Sequence, residues 1–248
     1  MVVEICAYSL ESCLVAQRAG AGRVELCSSL SEGGLTPSAG LIQLACRQLS
    51  IDLYVMIRPR GGDFLYSDTE FAVMQADIDM AKSLGADGIV LGLLKADGTV
   101  DEERTRQLVE LAQPLPVTFH RAFDMTRDAG EALEAVIRAG AVTILTSGQQ
   151  PSAGQGIEQL RQLVHQGSGR INIMAGAGVN RQNVGLLIEA GVQAVHLSGK
   201  TSLESPMTFR RAGLSMASAV LGEYERIESD EAIVRTIVEA TKQQSPTR

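Results

Sequence analysis

The 248-residue sequence predicts an α/β fold: a closed (β/α)8 barrel of the TIM type, with parallel strands and a functional mouth at their C-terminal ends. Two patterns carry this. A phrase in which a helix closes on glycine and an apolar strand follows recurs as AGAGRVELC at 19–27, LGADGIVLG at 84–92, AGAVTILTS at 139–147 and AGVQAVHLS at 190–198. Strand-like and helix-like segments also alternate strictly, eight of each, along the chain. Composition agrees: 4% aromatic residues, no Trp and 25 glycines suit aliphatic parallel strands better than an aromatic-rich antiparallel sandwich.

The first strand is VVEIC at 2–6, and RVELC at 23–27 ends the first glycine phrase as the second. LYVMI at 53–57, PVTFH at 116–120, INIMAGA at 171–177 and the ends of the other three phrases supply the remaining six. Amphipathic helices fall at 12–19, 39–48, 68–84, 101–112, 130–139, 157–165, 181–190 and 231–241. An open doubly wound sheet is the alternative, but neither G-x-G-x-x-G nor a P-loop follows the first strand. No linker divides the chain, so 1–248 is expected to be one domain. The segment 200–229 shows no clear element and is expected to cover the barrel mouth or make a subunit contact.

A formal net charge of -7 without a long basic run argues against nucleic acid as a partner. No apolar run approaches the roughly 20 residues needed to cross a bilayer, and no secretory leader opens the chain. The four cysteines, Cys6, Cys13, Cys27 and Cys46, lack a C-x-x-C pair and are expected as reduced thiols in a cytoplasmic protein.

Strand alternation fixes which residues enter the barrel. With Val3 and Ile5 facing the helices, Glu4 and Cys6 face inward; 21 residues later Val24 and Leu26 face outward and Glu25 and Cys27 inward. The same rule turns Arg58, His120, His196 and Ser198 inward. Closure of the eighth strand on the first would bring His196 near Glu4, and strand two, lying beside strand one, would bring Cys27 near Cys6. Charges are buried in this way when they are paired or when a ligand uses them.

Glu4, Glu25, His120 and His196 are therefore the candidate acid/base residues. RPRGGDF at 58–64 offers Arg58 and Arg60 to an anion, with an Arg58–Glu25 ion pair as the structural alternative. FHRAFD at 119–124 adds Arg121, TSG at 146–148 adds Ser147, and MAGAGV at 174–179 with HLSGK at 196–200 adds Gly176, Gly178 and Ser198. These suit a small anionic metabolite, phosphorylated or sugar-like. Cys6 and Cys27, side by side, offer a two-sulfur site to a soft ion such as Cu(I), digonal or, with another donor, trigonal. Buried small hydrophobes are the alternative for both, and Cys13 and Cys46 are expected to be packing residues. No organic cofactor is implied.

EIC at 4–6, RVELC at 23–27, SEGGLTPS at 31–38, IRPRGGDFLYSD at 57–68, PVTFHRAFDM at 116–125 and LTSG at 145–148 together resemble the CutC family, known as copper homeostasis proteins. SPM at 205–207 and GLSM at 213–216 resemble the family's tail. The resemblance runs over nearly the whole chain. It implies a (β/α)8 barrel, a cytoplasmic homo-oligomer (dimer or tetramer) and a role in copper handling. It also implies Cu(I) binding at two cysteines that match Cys6 and Cys27. A barrel enzyme acting by acid/base chemistry on a small anionic metabolite remains the alternative expectation.

Overall fold

The computed structural model describes residues 1–214 and 222–243. Eight parallel strands run β1 (Val2–Ala7), β2 (Arg23–Leu26), β3 (Asp52–Met56), β4 (Gly88–Leu91), β5 (Val117–Phe119), β6 (Thr143–Thr146), β7 (Asn172–Ala175) and β8 (Ala194–Leu197). Each pairs with the next, and β8 pairs with β1 to close the barrel. The closed (β/α)8 fold is the one the alternation predicts. The outward strand face, with Ile5, Val24, Leu26, Ile89 and Phe119 fully buried, forms one continuous core with the helix ring. Burial on both faces is why these strands read as aliphatic runs.

The helices are α1 (Leu10–Arg18), α2 (Ala39–Gln48), α3 (Asp68–Leu84), α4 (Glu102–Ala112), α5 (Ala129–Ala139), α6 (Ile157–Gly167), α7 (Val184–Glu189) and α8 (Glu231–Gln243). Side-chain oxygens of Ser9, Ser38, Ser67, Asp101 and Asp128 accept N–H groups of the first turn and so fix five of the starts. At α3 the cap is reciprocal: Ser67 accepts from the Glu70 N–H, and Glu70 accepts from the Ser67 N–H. Replacing Ser67 by Ala is expected to cost about 1 kcal/mol in chemical denaturation, with the barrel intact. The recurring glycine phrases end helices as expected: Gly85 (φ +95°) and Gly140 (φ +92°) adopt the left-handed conformation that stops α3 and α5. The helix expected at 181–190 is shorter. Asn180 and Asn183 turn their side chains onto nearby backbone groups, and α7 begins only at Val184.

The segment 200–229, expected without an element, contains an antiparallel pair, β9 (Lys200–Glu204) with β10 (Glu225–Ser229). Its strands alternate too weakly in hydrophobicity to stand out in sequence. The Ser229 N–H donates to Ser12 Oγ and its hydroxyl to the Ser198 carbonyl, so β10 is tied to the first turn of α1 and the end of β8. Of this segment's described residues only Lys200 lines the mouth cavity. Ser215 and Met216, in the tail motif, lie outside the described residues. No helix among the described residues is long and apolar enough to cross a membrane.

Candidate metal centre and barrel mouth

The closure of β8 on β1 sets Glu4 opposite His196, and the β1–β2 register sets Cys6 opposite Glu25. All four point inward, which stacks two polar layers where β8, β1 and β2 meet. In the lower layer Glu4 is fully buried between two partners. Arg23 Nε donates to Glu4 Oε2 at 2.5 Å, and His196 Nδ1 lies 2.7 Å from Glu4 Oε1. The Arg23 guanidinium also stacks on the Tyr54 ring, 4.1 Å from its centre.

In the upper layer, Cys6 Sγ lies 3.8 Å from Cys27 Sγ and 3.2 Å from the Tyr8 hydroxyl. Cys27 Sγ is 3.5 Å from Glu25 Oε2, and that oxygen is 3.8 Å from His196 Nε2. Donor atoms of Cys6, Glu25 and His196 all fall within 4.8 Å of one another. Glu25 Oε1 has no hydrogen-bond partner among the described residues although it is buried.

Electrostatics divides these groups. The neighbouring Cys27 thiol holds the Cys6 thiol well below its ordinary range against the effect of burial, with help from His196 and Tyr8. Burial, then the Cys6 charge, pushes Glu25 well above the carboxylate range; burial and Cys6 do the same to the Cys27 thiol. Against the burial that opposes its charge, Glu25, Cys6 and Glu4 hold His196 well above the usual histidine range. Burial likewise opposes the Glu4 charge, yet His196 and Arg23 keep that carboxyl below its ordinary value. The floor thus combines one thiol held low, one held high and a histidine fixed by a carboxylate from below.

Above the floor opens a cavity of about 580 Å³. Cys6, Glu25, His196 and Ser198 reach it from β8, β1 and β2, while Arg58, Phe64, His120 and Arg121 reach it from beyond β3 and β5. Gly178 lines it from the loop after β7, and Lys200 stands at its edge.

A model of the CutC family matches residues 1–201. The chain belongs to the CutC family. A CutC family protein of Chromobacterium violaceum is 50% identical over 240 residues, 96% of this chain and 97% of that one. The mouse copper homeostasis protein cutC homolog is 48% identical over 238 residues, 95% of this chain and 88% of its own. The crystal structure of CutC from Streptococcus agalactiae superposes with a TM-score of 0.76 at 36% identity, covering 80% of this chain and 98% of that one. All four residues of the upper layer lie within the CutC match, whereas β10 and α8 lie beyond it.

Several residues expected at the mouth lie elsewhere. Arg60 points away: its guanidinium donates to Glu70 at 2.5 Å and Asp63 at 2.9 Å, and it does not line the cavity. Ser147 is fully buried, where its hydroxyl bonds Asp124 and the Gln150 carbonyl. Gly176 backs His196 from behind; a Cβ there would sit 2.5 Å from Leu145 Cδ1. Glu4 and Cys27 lie beneath the cavity rather than in it. Arg121 does line it, with Nε on Asp124 at 2.8 Å. Cys13 is buried in α1, where burial raises its thiol to about 12, and Cys46 is half-buried in α2.

Arg58 does not pair with Glu25. Its N–H groups donate to three backbone carbonyls: Glu32 at 2.5 Å, Gly34 at 3.0 Å and Gly62 at 2.8 Å. His120 also departs from expectation. Its Nδ1 accepts the Ala122 N–H at 3.1 Å, and burial, with the Arg58 charge, lowers its pKa to about 3. The neutral ring therefore carries its proton on Nε2, which suits a hydrogen-bond donor rather than the acid/base group expected. Arg23 and Tyr8 were missed. Arg23 was in reach of the alternation rule, being two residues before Glu25 on the same strand face.

Proposed function

We infer that this CutC family chain binds and handles Cu(I), with the ion as cargo held between Cys6 and Cys27 and completed by His196. The donor cluster carries this reading: two thiol sulfurs 3.8 Å apart with a histidine and a carboxylate beside them. Thiolate sulfur prefers soft ions, and the Cys6 thiol, held below its ordinary range by Cys27, gives up its proton to an ion more readily than an ordinary thiol. At a metal–thiolate length of about 2.3 Å, two sulfurs on opposite sides of one ion would lie about 4.6 Å apart. The observed 3.8 Å fits the narrower angle left when a third donor binds, and His196 Nε2 is the nitrogen that would serve once the ion displaces its proton, because Nδ1 is taken by Glu4. The names of the animal relatives agree with a copper role. Four free cysteines suit a reducing cytoplasm.

Competition for Cu(I) against a chromogenic chelator under reducing conditions tests this. The Cys6→Ser/Cys27→Ser double variant is expected to lose on the order of 100-fold in affinity, and His196→Gln on the order of 10-fold. Wild-type affinity in the double variant would remove the assignment.

A further inference from the structure

The mouth contains more than a single ion needs. On the side built from the ends of β3 and β5, two buried groups stand with hydrogen-bonding capacity unused. Arg58 is 6% exposed and His120 4% exposed, and both line the cavity. Arg58 donates to three neutral carbonyl oxygens, has the neutral Tyr66 hydroxyl beside it, and makes no ion pair among the described residues. The other buried arginine, Arg23, shows the ordinary arrangement, with the Glu4 carboxylate against it. Arg58 is thus a buried positive charge whose counter-charge no described residue supplies.

His120 presents the matching neutral donor. Its Nδ1 lone pair is taken by the Ala122 N–H, so the proton sits on Nε2, and Nε2 has no partner among the described residues. Phe64 joins the two: its ring lies 4.9 Å from the Arg58 guanidinium carbon and 5.1 Å from the His120 ring centre. Two further cations stand at the cavity, Arg121, which is shared with Asp124, and Lys200, which makes no ion pair among the described residues.

We propose that this side of the mouth binds the oxyanion of a small organic molecule, a carboxylate or phosphate, with Arg58 as its counter-charge and the His120 Nε2–H as its hydrogen-bond donor. Phe64 provides the apolar surface for the body of the ligand, which makes the ligand an organic acid or ester rather than a bare inorganic ion. The site uses neither thiol, so it stands independently of copper binding. Neighbouring subsites in one cavity would let a single ligand span from Arg58 to the metal cluster.

Calorimetric titration of the metal-free full chain at pH 7 decides this, with phenylacetate as the carboxylate probe, phenyl phosphate as the phosphate probe, and inorganic phosphate and benzyl alcohol as controls. At least one aromatic anion is expected to bind one to one and saturate, more tightly than either control; which of the two binds better identifies the oxyanion. His120→Asn retains an acceptor for the Ala122 N–H but loses the distal donor, and is expected to weaken binding about tenfold. Cys6→Ser/Cys27→Ser is expected to keep anion binding while losing Cu(I), so this proposal and the copper reading fail separately.

Nitrogen-15 histidine spectra of the wild type supply a readout that needs no variant, since the chain has 3 histidines. The His120 Nε2 resonance is expected to shift on adding the bound anion. Failure of both aromatic anions to saturate, equal binding by His120→Asn, or an unmoved His120 resonance would each overturn the proposal.

Discussion

Replacing Arg23 by Met is expected to remove about 3–5 kcal/mol of folding stability, the largest loss among single changes at the polar floor. The reason is what remains behind. Glu4 is fully buried, and Arg23, 8% exposed, supplies it with a permanent positive charge through a 2.5 Å hydrogen bond. Met keeps apolar volume against Tyr54, so the loss reports the stranded carboxylate rather than a cavity. For a chain of this size the melting temperature should fall by roughly 6–20 °C. Adding Glu4→Gln should recover part of the loss, because no charge is then left unpaired. Denaturant titration of the two variants measures both values. A loss below about 1 kcal/mol would show that His196 alone satisfies Glu4.

The second large effect is on pH dependence, at His120. The folded protein holds this residue neutral down to about pH 3, because burial and then Arg58 oppose its charge. In the unfolded chain the same imidazole takes a proton below about pH 6.5. Across that window the unfolded state binds the extra proton, so stability falls as pH falls. Because the unfolded imidazole is already half protonated at pH 6.5, the wild type should lose about 2.3 kcal/mol between pH 6.5 and 4.5 from this residue alone. His120→Asn lacks the titration, and its stability should decline less steeply by that amount over the same interval. Glu4, held below its ordinary range, also loses stability on acidification, but it does so in both proteins and cancels in the difference. Parallel stability–pH curves for the two proteins would refute a neutral buried His120.

The glycine phrases and the apolar alternation made the barrel legible because both are local. A left-handed residue is a common way to stop a helix before it reverses into a parallel strand, and Gly85 and Gly140 supply it for α3 and α5. The facing of Glu4, Cys6, Glu25 and Cys27 followed from the two-residue period of a strand, and the meeting of strands one and eight followed from closure. The hairpin of β9 and β10 escaped detection because its strands carry little hydrophobic contrast: Leu203 and Ile227 sit among Lys, Glu, Ser, Thr and Arg.

What the sequence could not determine is where long side chains end. Arg58 and Arg60 are two residues apart in one motif, yet one enters the cavity and the other turns to Glu70, because an arginine can place its charge in any of several directions. Nor could it tell that His120 would spend one nitrogen on the Ala122 N–H and be left a donor at the other. By itself the sequence determined the barrel, its family and which strand positions face inward, since backbone period and helix ends are written in neighbouring residues. Only the tertiary structure decided which buried charges find partners. That depends on distances between side chains far apart in the chain: it joins Glu4 to Arg23 and His196, and it leaves Arg58 and the His120 Nε2–H unmatched.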